Sequence, residues 1–157
     1  MPNLRFDWHE HIKNVEGEYK AARLAVDRLK GSLGTAAPDL LQRMGDEERA
    51  RLREADRNLE GTYLVRLFAA FEAALRSYDR ARHNDPTREE AASVLIDSIG
   101  GRHGRRISAA DRAGAHAVRR VRNYWAHESD AAPEPMTITN ARARLQKYLS
   151  RLPEGWG

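Results

Sequence analysis

Residues 63–75 read YLVRLFAAFEAAL, and the predicted fold follows from this run. Only Arg66 and Glu72 interrupt an apolar run that shows none of the alternation typical of a strand. A helix that is apolar around its whole circumference belongs at the centre of a helical bundle. The predicted core spine, spaced by three or four residues, consists of Leu64, Phe68, Phe71, Leu75 and Tyr78.

Helical patterns fill the chain on both sides of this stretch, separated by glycine, proline and asparagine breaks. Helices are predicted over about residues 7–30, 46–82 and 108–127 and from about 139 onward, with a short helical turn near 39–44. Another helix is predicted to begin at a cap on Asp85 or Thr87 and to end at Gly100-Gly101, and Ser108 is the predicted cap of the next. The chain is therefore predicted to be all-α, with one domain spanning residues 1–157.

Composition excludes several classes of site. The 157 residues are 41% hydrophobic and 32% charged, which is typical of a globular chain with an ionised surface. The absence of cysteine excludes disulfides, thiolate metal ligands and a cysteine nucleophile. Residues 1–11 do not resemble a signal peptide or anchor, and no later segment reaches the roughly 20 apolar residues of a spanning helix. The chain is therefore predicted to be cytoplasmic, and its carboxylates and histidines nowhere show metal-site spacing.

Positive charge is concentrated in one part of the chain. The net charge is only +4, but residues 102–122 contain seven arginines and two histidines, with Asp111 as the only acid. Such a block predicts a surface that faces phosphate groups. The other interpretation is that arginine is abundant throughout, since only four of the 27 basic residues are lysine.

The helix predicted to end near His127 has one polar ribbon. At roughly 100° per residue, His116, Arg120, Asn123 and His127 share a narrow sector. The predicted core-facing side consists of Gly114, Ala117, Val118, Val121, Tyr124 and Trp125. Asn123 and His127 are one turn apart, so the amide is expected to contact the imidazole and fix its orientation.

Arg122 lies about 140° from His127 around this helix. On one straight helix the two side chains are not expected to converge on a single phosphate. They would do so if the helix ended or distorted near Ala126, or if a second copy brought its own helix alongside. This geometry predicts a homodimer with a shared cleft.

The run Val121-Arg122-Asn123-Tyr124-Trp125-Ala126-His127 resembles the R-x4–6-H motif of the HEPN superfamily, in the variant with a polar residue after the arginine. The preceding basic helix, the FEAALR run at 71–76 and the closing LQKYL run at 145–149 are similar to that family as well. The resemblance covers about residues 55–152. One difference is that some family toxins carry a tyrosine two residues after the histidine, where this chain has Ser129.

The resemblance implies an up-and-down HEPN-like bundle of four to five helices that dimerises through the motif-bearing helices. Active members are metal-independent endoribonucleases, often toxins or phage-defence effectors with a neutralising partner protein, and they need no cofactor. Arg122 would then bind the scissile phosphate of RNA, His127 would move the proton for attack by the ribose 2′-OH, and Asn123 would keep the site in order. The further residues assigned to RNA binding are Arg105, Arg106, His116, Arg119 and Arg120, and those assigned a supporting role are Glu72 and Glu128.

Several alternatives stay open from the sequence. Glu72 is expected to pair with Arg76 one turn later, or else to reach Arg122 and position it. Tyr124 and Trp125 are expected in the core, although one of them can instead stack on a base or on its dimer mate. In function, the rivals are a non-cleaving RNA-binding or dimerising accessory protein and a helical adaptor for an acidic protein surface.

Overall fold

The apolar run lies in the middle of the second of the five helices found in the described part of the chain. The computed structural model describes residues 4–35, 44–101, 107–127 and 132–156, with only the backbone at 32–35 and 101. Its helices are α1 (Arg5–Thr35), α2 (Asp46–His83), α3 (Ala92–Gly101), α4 (Ala109–His127) and α5 (Ile138–Leu149). None of these helices has the length and apolar character needed to cross a membrane, as far as the described residues go.

Helix α2 is the centre of the bundle, because it contacts each of the other four helices. Helix α1 also packs against α5, while α4 packs against α3 and α5. Within the described ranges α1 and α4 do not touch, so they lie on opposite sides of α2 and α5. The prediction of an all-α helical bundle is confirmed.

The predicted core spine is buried along its whole length. Leu64, Phe68, Phe71, Leu75 and Tyr78 all lie in the hydrophobic core. Phe71 meets Tyr148 of α5 edge to face, with ring centroids 5.4 Å apart. The Tyr148 hydroxyl donates a hydrogen bond of 2.8 Å to the carbonyl of Ile96 in α3, and burial raises the pKa of this phenol. One buried tyrosine thus joins α2, α3 and α5.

A buried carboxylate joins α1 to α5. Glu16 of α1 accepts a hydrogen bond of 2.8 Å from the Thr139 hydroxyl, and Arg142 Nε lies 2.7 Å from it. Lys20 of the same helix is 3.3 Å away. Because a buried charge requires partners, these three groups explain how Glu16 is tolerated at this junction.

Helix α3 begins later than predicted. Asn84 ends α2 in the left-handed region at φ 50°, which a short polar side chain tolerates. Asp85 then accepts hydrogen bonds from both the N–H and the hydroxyl of Thr87, which forms a turn. The prediction that Asp85 or Thr87 caps the third helix is therefore wrong, because both side chains are used in this turn and α3 starts at Ala92. The short helical turn predicted near 39–44 lies almost wholly outside the described residues.

The predicted start of α4 is confirmed, but its buried face differs from the prediction. Ser108 Oγ accepts from the N–H of Asp111 at 3.0 Å, as a helix cap does. The buried residues of α4 are Asp111, Ala115, Val118 and Val121. Four residues that were predicted to face the core are only partly buried or exposed, namely Gly114, Ala117, Tyr124 and Trp125. The buried face is rotated because α4 packs against α3 on one side as well as against α2 and α5.

Candidate functional site

A cleft of about 300 Å³ lies between α2, the start of α3 and the C-terminal half of α4. We call it the basic cleft. Its lining residues are Phe68, Glu72 and Arg76 of α2, then Ala91, Ala92 and Ser93, and finally Arg119, Arg122, Asn123 and His127 of α4. The cleft therefore contains all three residues predicted to be catalytic and one of those predicted to bind RNA.

Two contacts hold Arg122 in the cleft, and no described carboxylate pairs with it. Its Nη1 donates a hydrogen bond of 3.1 Å to Oδ1 of Asn123, and its Cζ lies 5.9 Å from the centre of the Phe68 ring. Its Nε is buried without a hydrogen-bond partner. In the described ranges no carboxylate oxygen lies within 4.0 Å of this guanidinium. An oriented cation without an acidic partner is free to bind an anionic ligand.

Arg119 lies one turn earlier on α4 and shares two of these features, a buried Nε and the lack of a described carboxylate partner. It is partly buried, and its Nε is also buried without a hydrogen-bond partner. No ion pair to Arg119 occurs among the residues that the structure describes. The residue pair 119 and 122 is spaced by three along the helix, so both guanidinium groups face the same side.

Glu72 is the one carboxylate that lines the basic cleft in the described part of the chain. It pairs with Arg76 Nη2 at 2.7 Å, which confirms the first of the two partners considered for it. Arg76 and Glu72 neutralise each other, so the charges of Arg119 and Arg122 remain uncompensated. This excess of positive charge is the main electrostatic feature of the cleft.

His127 lies at the open end of the cleft. It is the last residue of α4, and its side chain is exposed. No described residue donates to or accepts from its imidazole. The expectation that Asn123 orients this ring is wrong, because the amide oxygen of Asn123 instead accepts from Arg122. Glu128, the other expected partner of His127, lies outside the described residues.

Arg122 and His127 line the same cleft despite their expected angular separation around α4. Both side chains line it within a single chain, although α4 is helical as far as His127. Two features account for this. The Arg122 side chain is long, and α2 and α3 form the opposite walls, so the cleft spans more of the α4 surface than the narrow sector considered from the sequence.

The remaining residues predicted to bind RNA lie elsewhere. His116 Nε2 is 2.9 Å from Asp97 Oδ1, so its ring bridges α4 to α3 and does not line the basic cleft. Arg120 lines a separate cleft of about 630 Å³, together with Asn123 and residues 132–134 and 136. The polar ribbon predicted from helical spacing is therefore divided between three environments. Arg105 and Arg106 lie outside the described residues.

Besides Ala91 and Ala92, three residues of the cleft were not predicted as part of a site. Phe68 was predicted only as core, yet its ring also forms the floor beneath Arg122. Arg76 was considered only as a partner of Glu72, although the spacing of both residues from Phe68 along α2 is a multiple of four and could have indicated a shared face. Ser93 carried no signal, because the start of α3 depends on the turn at Asp85.

No family model, curated protein or solved structure matches this chain. Among the described residues no group of three or more histidine, aspartate or glutamate side chains is arranged to hold a metal ion. The site is thus defined by arginine, asparagine and histidine side chains. This set can bind an anion and can exchange a proton.

Proposed function

We propose that this chain is a metal-independent endoribonuclease of the toxin or phage-defence type. The observation that supports the proposal best is the basic cleft itself. Arg119 and Arg122 present guanidinium groups without carboxylate partners, and His127 lines the same cleft. Phosphodiester cleavage by a ribose 2′-OH needs these two functions, a fixed positive charge and a group that transfers protons.

Arg122 binds the scissile phosphate in this proposal. A guanidinium group offers two parallel N–H donors to phosphate oxygens and stays charged at every working pH. The contacts with Asn123 and Phe68 orient it before RNA binds, so little reorganisation is needed as charge develops on the phosphate. Arg119 binds a neighbouring phosphate. Asn123 therefore acts as a positioning residue for Arg122.

His127 removes the proton from the 2′-OH. Histidine can accept and release a proton, and the exposed position of His127 at the end of α4 leaves its side chain accessible to RNA. The nucleophile belongs to the substrate, so the protein needs no serine or cysteine. The 2′-oxygen bonds to phosphorus, the bond from phosphorus to the 5′-oxygen breaks, and that oxygen takes a proton from water. The products are a 2′,3′-cyclic phosphate on one fragment and a free 5′-hydroxyl on the other.

The proposal extends to assembly. Two copies would align their α4 helices, so that each basic cleft opens beside its counterpart and a single RNA strand contacts both. A neutralising or defence-system partner protein would then cover the same face. Light scattering is expected to report about twice the mass of 17.8 kDa at micromolar concentration. A strictly monomeric protein would contradict the shared cleft but not the single-chain site.

A non-cleaving RNA-binding accessory protein is the second candidate. One observation favours it: no described side chain orients the His127 imidazole, although general bases are commonly held by a hydrogen bond. In that case Arg119 and Arg122 would still hold RNA, and His127 would be one more cation at the end of a helix.

Purified protein incubated with total RNA in EDTA separates these candidates. The nuclease produces fragments with 2′,3′-cyclic phosphate ends, and both Arg122→Ala and His127→Ala abolish them. The matched control is Arg53→Ala, an exposed arginine of α2 outside the cleft, which is expected to leave cleavage unchanged. Retention of intact RNA indicates the accessory protein. A chain that neither cuts nor retains RNA fits the adaptor instead.

A further inference from the structure

One of the three tryptophans is exposed. Trp8 and Trp156 lie in the core at 4% and 7% exposure, whereas Trp125, near the end of α4, is 40% exposed. Its neighbour Tyr124 contacts it edge to face, with ring centroids 5.6 Å apart. The expectation that Trp125 faces the core is wrong, so its large exposed ring calls for another explanation.

The Trp125 ring is seated on the backbone of α2. A Cβ atom at Gly61 would lie closer than 3.0 Å to three carbons of the indole, so only glycine allows this approach. Glycine inside a helix costs roughly 1 kcal/mol relative to alanine. Glycine at this buried position of α2 lets the indole ring pack directly against the helix backbone, while the outer side of the ring is exposed to solvent.

A groove of about 580 Å³ opens beside this ring. We call it the tryptophan groove. It is lined by Asn58, Gly61, Thr62 and Val65 of α2 and by Trp125 and Ala126 of α4, among others. Its volume is within the range of roughly 300–1,000 Å³ of sites that take small organic molecules. It thus combines an aromatic surface with amide and hydroxyl groups at its edge.

The tryptophan groove and the basic cleft lie along the same face of α2. Gly61 and Val65 line the first, while Phe68, Glu72 and Arg76 line the second. These five positions are spaced by four, three, four and four residues, which places them on one stripe of the helix. On α4, the residues at 119, 122 and 126 form the matching stripe. The two sites therefore follow one another along the junction of α2 and α4.

We infer that Trp125 is a stacking platform for a nucleobase of single-stranded RNA whose phosphates lie on Arg119 and Arg122. The inference rests on the proposed function in taking RNA as the ligand, but it does not require cleavage. Proteins that hold single strands combine a basic channel for the backbone with aromatic rings for the bases, because every base has a face that can stack. Here the cation Arg122 and the ring of Trp125 are three residues apart on α4.

The experiment uses 2′-O-methyl oligonucleotides eight residues long, which cannot undergo attack by the 2′-oxygen. On titration the wild-type fluorescence is expected to be quenched, since Trp125 is the exposed tryptophan and the other two are buried. A single abasic position, scanned along the oligonucleotide, is expected to weaken binding about tenfold at one register. In Trp125→Ala the intact oligonucleotide binds about tenfold more weakly, and the abasic position has less than a twofold effect.

Phe6→Ala is the matched control, because Phe6 is an exposed aromatic residue on α1 at 69% exposure, and it is expected to bind as the wild type does. The inference is overturned if the abasic scan is flat and fluorescence is not quenched, and both readouts use the unaltered protein. It is also overturned if Trp125→Ala halves the mass in light scattering, since the ring would then contact a second copy.

The outcomes for stacking and for cleavage are separable. Quenching with a register-specific abasic effect, but no cutting of unmodified RNA, supports the stacking platform and contradicts the nuclease. Normal cutting by Trp125→Ala together with a flat abasic scan supports the nuclease and contradicts the stacking platform.

Discussion

Arg122 donates a hydrogen bond from Nη1 to Oδ1 of Asn123, its immediate neighbour on α4, at 3.1 Å. Consecutive residues on a helix point about 100° apart, so the contact requires the long arginine side chain to turn toward its neighbour. It does so above the Phe68 ring, at the floor of the basic cleft. The neutral amide therefore orients the cation without cancelling its charge.

This relationship predicts that the charge of residue 123 affects RNA binding more than the hydrogen bond it makes. Asn123→Asp places a carboxylate beside Arg122, so RNA affinity is expected to fall about tenfold, whereas Asn123→Ala loses one hydrogen bond and a few-fold in affinity. Fluorescence anisotropy with a labelled oligonucleotide measures both variants. Equal binding by Asn123→Asp and the wild type would show that Arg122 does not contact RNA.

Arg122→Lys tests the planar geometry of the cation. The variant keeps the positive charge but loses the paired donors of the guanidinium, so cleavage is expected to fall at least tenfold. Single-turnover rates on one defined RNA give the comparison, with Arg53→Lys on the exposed part of α2 as the control. A near-normal rate in Arg122→Lys would rule out a bidentate phosphate contact.

Removing the Glu72 charge is expected to strengthen RNA binding. Glu72→Gln releases Arg76 from its ion pair, so a third cation becomes available in the basic cleft. The affinity rises several-fold at low salt, and its logarithmic salt dependence steepens by about 0.7. Glu47→Gln is the matched control, because Glu47 forms the same kind of pair with Arg51 on α2, away from the cleft. Weaker binding by Glu72→Gln would indicate that Glu72 positions the cleft instead.

The effect of Gly61→Ala on the free energy of unfolding is expected to have opposite signs with tryptophan and with alanine at position 125. In the wild type, the added Cβ displaces the Trp125 ring and lowers the free energy of unfolding by about 1 kcal/mol. In a Trp125→Ala background the space is free, and the helix preference of alanine raises the free energy of unfolding by a similar ~1 kcal/mol. Urea unfolding of the four proteins measures the cycle. Additive effects would mean that the two residues do not contact each other.

The Glu16 junction predicts a pH-dependent contribution to stability. Burial acts to raise the pKa of Glu16, but the Thr139 hydroxyl and the cations Lys20 and Arg142 outweigh it, so the pKa lies below its ordinary 4.5. A carboxylate with a lowered pKa contributes its full stabilisation when the pH is above the ordinary pKa. This contribution is lost as the pH falls through the pKa of the folded state. At pH 7, Glu16→Gln is expected to lower the free energy of unfolding by about 2 kcal/mol, and this difference shrinks below about pH 4.5.

Glu18→Gln on the same helix is the control for this measurement. Glu18 pairs with Arg66 at 2.6 Å, but both side chains are about half exposed, so water screens the pair. Its loss is expected to cost less than about 0.5 kcal/mol at any pH. A constant difference between Glu16→Gln and the wild type from pH 7 to pH 3 would contradict the lowered pKa.

Residues 63–75 were sufficient to predict a helix at the centre of a bundle. Their apolar side chains can leave water only if other helices surround them, and this requirement does not depend on which helices do so. The Ser108 cap and the Glu72–Arg76 pair were predictable for a similar reason. Their partners are three and four residues away, so local helix geometry brings them together.

Helical spacing could not determine which polar side chains of α4 share a site. One sector of the helix contains His116, Arg120 and Asn123. The His116 ring nevertheless contacts Asp97 of α3, and Arg120 lines a cleft other than the basic cleft. In the same way, the glycine that seats Trp125 is 64 residues away in sequence. A helix presents every side to its surroundings, and only the packing of α2, α3 and α5 against α4 decides which sides become core, cleft or open surface.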